Sequence, residues 1–198
     1  MNTMNDLVNI PMFPLSIFPL PGEMVPLHIF EPRYKQLLED AEARDFSFGI
    51  YFTHKSNTEN LGSLVKLESV IKRYKTGESD IIVRCIDLFS MNKLFRTHKD
   101  KLYPGGLAMC WKVDMNKTMT DKLSLHFEEY RGWLKLATNQ NITTVYDVAN
   151  ELGLDFGERL RFVRYTEDQQ ESFLISRIKY QIQLLKQVEL AKDVFHLN

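Results

Sequence analysis

The spacing of apolar and polar residues changes twice along this chain of 198 residues. In the first stretch, six of the seven prolines fall between residues 11 and 32. A proline lacks a backbone donor and keeps the preceding residue extended, so this stretch is not helical. The pattern predicts short extended pieces with a turn at Pro21-Gly22, arranged as an edge strand or as an irregular hairpin.

A helical spacing follows at once, because Tyr34, Leu37, Leu38 and Ala41 stand at positions i, i+3, i+4 and i+7. Pro32 suits the first turn of a helix, and the carboxylate of the preceding glutamate favours its positive end. These features predict a first helix of about three turns.

From residue 46 to 113 the chain carries short runs of β-branched and aromatic residues, separated by glycine or turn residues. Two of these runs, residues 80–89 and 94–98, are predicted as separate strands. Because no helical pattern intervenes, the runs indicate mostly antiparallel strands in a barrel or a sandwich rather than parallel βαβ units.

From residue 117 onward the spacing is helical again. Apolar residues recur every three or four positions in two short segments and in one long one that ends near Phe195. Thr118 followed by Asp121 resembles a helix start, and Thr166 to Gln169 has the spacing of a capping box. The chain is therefore predicted to be an α+β protein, with a β subdomain at 1–116 and a helical subdomain, including one long helix, packed on it at 117–198.

Composition narrows the possible partners and locations. Lys and Arg number 25 against 26 Asp and Glu, which leaves a formal charge of −1 and no global attraction to nucleic acid or to an anionic membrane. No stretch approaches the roughly 18 apolar residues of a membrane span, and no signal-peptide pattern opens the chain, so we expect a cytoplasmic protein without membrane contacts. Cys85 and Cys110 lie in apolar runs and are predicted to be free, buried thiols.

Local signatures of catalysis are missing from the sequence. It holds no phosphate loop, dinucleotide fingerprint, nucleophile elbow or Ser-x-x-Lys motif. The five histidines are scattered and neither cysteine has a ligand at zinc spacing, so neither a metal nor a cofactor is predicted. His28 and Glu31 stand three residues apart, but Pro32 argues against a continuous helix there, and His28 is predicted to be a half-buried strand or turn residue. An enzyme whose site is assembled from distant residues stays an alternative.

Two basic clusters with interleaved aromatic residues suggest another alternative. Single-stranded nucleic acid is bound by cations and stacking aromatic rings, so the barrel is a candidate for RNA binding. The residues concerned are Lys72, Arg73, Lys93, Arg96 and Lys99. Acidic residues nearby favour ordinary solvated turns instead. The long helix is a further candidate surface, since an apolar stripe wider than the bundle requires would dock a partner.

The opening of the chain combines several distinctive residues. They are Pro14, Leu15, Phe18, Pro19, Gly22, Pro26, Leu27, Phe30, Glu31, Pro32, Arg33 and Tyr34, followed in order by Leu61-Gly62, Gly77 and the segment from Tyr103 to Gly106. This combination resembles the N-terminal domain of Lon proteases. The resemblance covers nearly the whole chain and implies a PUA-like antiparallel β-barrel with one early helix, followed by a C-terminal helical bundle.

The resemblance also implies a function in recognition. In Lon proteases this domain helps to select unfolded or tagged substrates and supports hexamer assembly, while other domains hydrolyse ATP and cleave peptides. The sequence contains neither an ATPase loop nor a Ser-Lys peptidase segment. We therefore expect a free-standing, non-enzymatic module that binds polypeptide clients and presents them to a protease or chaperone in trans.

Our hypothesis for the peptide contacts places them near the first helix. We expect an exposed lip and the start of the helix to contact extended peptide through apolar and charge-assisted interactions. The predicted residues are Ile17, Phe18 and Leu20 in the lip, and Arg33, Tyr34 and Lys35 in the helix. The structural alternative for Arg33 is an ion pair with a nearby carboxylate or a hydrogen bond that caps a loop carbonyl.

Overall fold

The structure is a computed structural model that describes residues 7–135 and 142–195. The chain divides into two compact units, with the boundary between Met115 and Asn116. In chain order the elements are β1 (Val8–Leu15), β2 (Met24–Ile29), α1 (Pro32–Arg44), β3 (Phe48–Phe52), β4 (Leu61–Arg73), β5 (Ser79–Phe95), β6 (Gly105–Cys110), α2 (Asp121–Leu134), α3 (Val145–Glu151), α4 (Phe156–Phe162) and α5 (Glu167–Phe195).

The strands of the first unit pair in the order β2-β5-β4-β3-β1-β6, and β6 also pairs with β5. These pairings close five strands into a ring, which is the arrangement of a small barrel, and leave β2 at the edge of the sheet. The long strand β5 takes part in both features. Its residues Ser79–Arg84 pair with the edge strand β2, and its residues Phe89–Phe95 pair with β6 and close the ring. Among the described pairings, only β1 with β3 is parallel. The predicted α+β fold is confirmed.

Strand alternation builds the core of the first unit. Side chains of β5 such as Ile81, Val83 and Cys85 are at most 1% exposed, while the residues between them are partly exposed. In α1 the four residues with helical spacing are buried, and Pro32 stands in the first turn, as predicted. Phe89 of β5 and large side chains from other strands complete this core: Met12, Phe48, Ile50, Phe52 and Val65.

The proline-rich segment turns where the sequence predicts. The Glu23 N–H donates to the Leu20 carbonyl at 3.0 Å, and Gly22 has a φ of +82°, which favours glycine. Strands β1 and β2 do not pair with each other, because β1 bonds β3 and β6 while β2 bonds β5. The edge-strand alternative is therefore confirmed and the hairpin alternative is wrong.

The second unit contains four helices among the described residues. Helix α2 begins at Asp121 with Thr120 as its cap, whose side chain accepts from the Leu123 N–H. Helix α4 has a complete capping box of Asp155 and Glu158, although we did not predict this helix from the sequence. The side chains of the predicted stripe form the core: Leu123, Phe127, Val148, Leu174, Ile178 and Ile182. None of the described helices is long and apolar enough to cross a membrane.

Candidate functional site

A groove of about 310 Å³ opens in the first unit beside β1, β2 and the start of α1. Its floor contains Phe13 and Tyr34, whose rings stack with 4.0 Å between their centroids. Phe30 lies in the wall and is 57% exposed. We call this feature the edge groove; its lining residues are Phe13, Leu15, Pro26, Leu27, His28, Phe30, Glu31 and Tyr34.

On the β2 side of the edge groove, His28 is held between two carboxylates. Its Nδ1 lies 2.6 Å from Asp80 Oδ1 and its Nε2 lies 3.7 Å from Glu78 Oε2. The Tyr74 hydroxyl donates to Asp80 Oδ2 at 2.6 Å. This hydrogen bond, followed by the one from His28, lowers the pKa of the Asp80 carboxyl below its usual value. The His28 ring also stacks against Phe30 at 5.9 Å, so the network orders the exposed aromatic wall.

On the α1 side, Arg33 donates to Glu31 from both Nε, at 2.9 Å, and Nη2, at 2.8 Å. The guanidinium also lies over the Tyr34 ring, 4.6 Å from its centroid. The prediction that Arg33 pairs with a nearby carboxylate is therefore confirmed. Lys35 does not line the groove, and its Nζ donates to the Thr76 carbonyl at 3.2 Å.

The predicted lip is only partly where we expected it. Phe18 and Leu20 are 1% and 0% exposed, so the expectation that they form an exposed surface is wrong. The physical reason is that this segment packs inward. The ring centroids of Phe18 and Phe52 are 5.8 Å apart, and the Ser63 hydroxyl donates to the carbonyl of Pro19 at 2.6 Å. Ile17 is partly exposed.

Tyr34 is the one predicted contact residue that lines the edge groove, where it forms part of the floor. Sequence reasoning missed Phe13, Leu15, His28 and Phe30 as site residues. The local sequence contains no signal for them, because contacts with residues far along the chain decide which apolar side chains stay exposed.

The structure does not unite the two basic clusters. Lys72 and Arg73 stand at the end of β4 that pairs with the first residues of β5, whereas Lys93 lies near the other end of β5. Arg73 is paired with Glu42. Arg96 and Lys99 follow β5 in the loop before β6.

Two of these basic side chains lie over aromatic rings. Lys72 Nζ is 4.4 Å from the ring centroid of Tyr74, and Lys93 Nζ is 5.5 Å from that of Phe95. Each of these cations therefore lies against a ring that is two residues away in the chain, and RNA binding stays a prediction.

Both cysteines are free, as predicted. Cys85 is fully buried and Cys110 is partly buried, and burial raises the pKa of each thiol. Within residues 7–135 and 142–195, no group of three or more His, Cys, Asp or Glu side chains could hold a metal ion.

A second groove, of about 270 Å³, lies in the helical unit between α2 and α5. Its wall includes Tyr180, Leu184 and Val188, which are 52%, 43% and 53% exposed. The apolar stripe of α5 thus continues beyond the residues that the helical core buries.

Comparisons with known proteins identify the family to which this fold belongs. The family model for the substrate-binding domain of ATP-dependent protease La (LON) matches residues 9–191. The chain belongs to this LON family. The resemblance drawn from the sequence is thereby confirmed. No curated protein matches the chain.

Solved structures support the same fold. A Lon N-terminal domain protein from Xanthomonas campestris is 21% identical, with a TM-score of 0.63, and the alignment covers 89% of this chain and 98% of that one. The N-terminal domain of the Lon protease from Mycobacterium avium complex is 15% identical, with a TM-score of 0.57, and the alignment covers 87% of this chain and 98% of that one. At these identities the likeness shows the LON-domain fold alone.

Proposed function

We propose that this LON-family chain is a substrate-recognition module that binds apolar segments of unfolded polypeptide in the edge groove. The observation that supports this most directly is the apolar floor of Phe13 and Tyr34 beside the exposed ring of Phe30. A groove of about 310 Å³ is large enough for a bulky apolar side chain, which would leave water on binding.

Glu31, which lines the edge groove, and Asp80, which is bonded to the lining residue His28, supply the polar part of the proposed contact. The carboxylates of Glu31 and Asp80 are already fixed by Arg33 and His28, so they do not have to be ordered again when a client binds. Their side chains are 38% and 33% exposed, which leaves acceptor positions for N–H groups of the client. Carboxylates that are already ordered by ion pairs can accept from the backbone N–H groups of a client. These groups are present in nearly every residue, so the contact does not select one client sequence.

We further propose that the module acts without catalysis of its own and presents its clients to a protease or chaperone in trans. None of the side chains that line the edge groove is a serine, cysteine or lysine nucleophile. Measurable ATP hydrolysis or casein cleavage by the purified chain would overturn this part of the proposal.

Binding is tested with a permanently unfolded probe, fluorescein-labelled lactalbumin that has been reduced and carboxymethylated, by fluorescence anisotropy. Phe30→Ser is expected to weaken binding at least fivefold. The matched control is Leu125→Ser in the helical unit, because Leu125 is also a large exposed side chain, at 72%. It should leave the affinity unchanged. Equal affinities for the parent and a folded Phe30→Ser variant, or no binding by the parent, would refute the proposal.

A further inference from the structure

The outer edge of β2 is unpaired in the part of the chain that the structure describes. Strand β2 stands first in the sheet order and pairs with β5 alone. An unpaired edge carries a row of backbone N–H and C=O groups that can bond another extended chain. The edge therefore offers hydrogen bonds that do not depend on the side chains of the incoming segment.

The hydrogen bonds to β5 show which residues of β2 face outward. The Cys85 N–H donates to the Glu23 carbonyl at 2.9 Å. Successive residues of an antiparallel strand direct their backbone groups to opposite sides, so Val25 and Leu27 face β5. Met24, Pro26 and His28 then face outward, and they provide three carbonyls and two N–H groups.

Pro26 is consistent with this assignment. A proline has no N–H, and on the β5 side it would remove a bond from the ladder. On the outer side it removes one potential donor but keeps its carbonyl as an acceptor. The available ladder is thus short, which suits weak and reversible binding.

The edge groove lies along this same edge. Pro26, Leu27 and His28 are consecutive and all line it. Side chains of a strand alternate between its two faces, so three consecutive residues can line one groove only if it follows the strand's edge. Beneath it are Phe13 and Leu15 of β1, which stand two residues apart and share a face.

We propose that the client segment binds in extended conformation as an added strand on the outer edge of β2, with every second side chain in the edge groove. The proposal rests on the proposed function and specifies the conformation of the substrate. Hydrogen bonds to Met24, Pro26 and His28 provide affinity that is independent of sequence, while the apolar floor selects bulky side chains at alternate positions. Helical or folded segments do not fit this mode, because their backbone groups are already bonded.

The experiment uses one fluorescent peptide of eight residues, with Lys at each end and Phe and Ser alternating between them. Two derivatives carry backbone N-methyl groups, one on every Phe and the other on every Ser. In an added strand all Phe N–H groups point to one side and all Ser N–H groups to the other. One derivative is therefore expected to bind at least tenfold more weakly, while the other stays within about twofold of the parent peptide.

The outcomes separate the two proposals. Equal affinities of the methylated peptides, whether both are retained or both are lost, would overturn strand addition and leave peptide binding intact. Failure of the unmethylated peptide to bind would instead count against the proposed function.

A pair of protein variants gives an independent test of the backbone contact. His28→Ala keeps the outward N–H and removes the ring, whereas His28→Pro removes both. We expect His28→Pro to bind the unmethylated peptide at least fivefold more weakly than His28→Ala, with folding of each checked by circular dichroism. Equal affinities of the two folded variants would contradict a hydrogen bond from this N–H.

Discussion

The ring of Phe13 in β1 stacks on the ring of Tyr34 in α1, with an interplanar angle of 29°. The two side chains are 6% and 4% exposed. This contact fixes the first turn of the helix to the first strand, and it forms the floor of the edge groove. The stability of the barrel unit and the shape of the groove therefore depend on the same pair.

We expect Phe13→Leu and Tyr34→Leu to show coupled effects on stability. Stacked aromatic pairs contribute about 0.5–1.5 kcal/mol beyond the burial of their area, so the double variant should lose less free energy of unfolding than the sum of the single variants by about that amount. Urea denaturation followed by Trp111 fluorescence in a Trp133→Phe background reports on the barrel unit. Strictly additive losses would contradict the coupling.

Alanine substitutions at two glycines are expected to change the free energy of unfolding in opposite directions. A Cβ at Gly62 would lie 2.2 Å from Phe89 Cζ and 2.7 Å from the Ile50 carbonyl oxygen. Gly62→Ala is expected to lower the free energy of unfolding by about 1–3 kcal/mol, because the core must shift. In helix α2 a Cβ at Gly132 would have no atom of the described residues within 4 Å apart from its chain neighbours and the backbone of its own helix, so Gly132→Ala should raise stability by about 0.5–1 kcal/mol.

These glycine effects are read with separate fluorescent reporters. Trp111 belongs to the barrel unit and Trp133 to the helical unit. A stabilising Gly62→Ala change would show that Phe89 can move aside without loss. A destabilising Gly132→Ala change would contradict the open surroundings of that position.

His98 makes stability depend on pH. Its side chain is buried at 8% exposure, and its ring lies 5.9 Å from that of Tyr103. Burial, with a smaller effect from the Lys99 charge, lowers the pKa of the imidazole below its usual 6.5. The folded chain thus keeps His98 neutral at a pH where the unfolded chain binds a proton.

The sign of this dependence follows directly. The stabilisation that comes from keeping His98 neutral is complete above pH 6.5. It is lost as the pH falls from there through the lower pKa that His98 has in the folded chain. His98→Phe keeps a ring beside Tyr103 and cannot titrate. The variant should therefore lose less stability than the parent between pH 7.5 and 5.5 in urea denaturation. Identical losses would refute the prediction.

The thiol of Cys85 should be unreactive in the folded chain. Cys85 is 0% exposed, and its Sγ lies 3.4 Å from the Asp87 carbonyl oxygen and 3.5 Å from that of Pro19. Burial raises its pKa, so little thiolate is present for reaction. In Cys110→Ser, the remaining thiol is expected to react with Ellman's reagent only after denaturant is added. Reaction in the native state at the rate of the unfolded chain would contradict this.

Local sequence rules predicted the elements whose causes are local. Pro32 and the apolar spacing that follows it define α1, and Pro21-Gly22 defines a turn, because each depends on neighbouring residues alone. The run 80–89 and the first two residues of the run 94–98, predicted as separate strands, instead belong to the single strand β5, and residues 96–98 lie outside it. A register shift between Met91 and Lys93 lets β5 continue past a polar interruption, and only its pairing with β6 shows this.

The candidate site was harder to predict because distant contacts decide which apolar residues are covered. Phe18 and Phe30 are the same residue type in the same proline-rich region, yet one is 1% and the other 57% exposed. Phe18 is covered by Phe52, which lies 34 positions later in the chain. No local pattern carries that information.

The closed ring of strands also implies an order of folding. Strands β4 and β5 are joined by a tight turn at Gly77 and can pair as soon as both exist, whereas Val8 in β1 must wait for Ala108 in β6. Strand β1, which precedes the other strands of this unit in the chain, is therefore among the last of them to complete its pairing during synthesis. Until then Val8–Pro11 lacks its partner strand, although Met12–Leu15 can already pair with β3, so a short piece of this chain is in the state that the finished edge groove is proposed to bind.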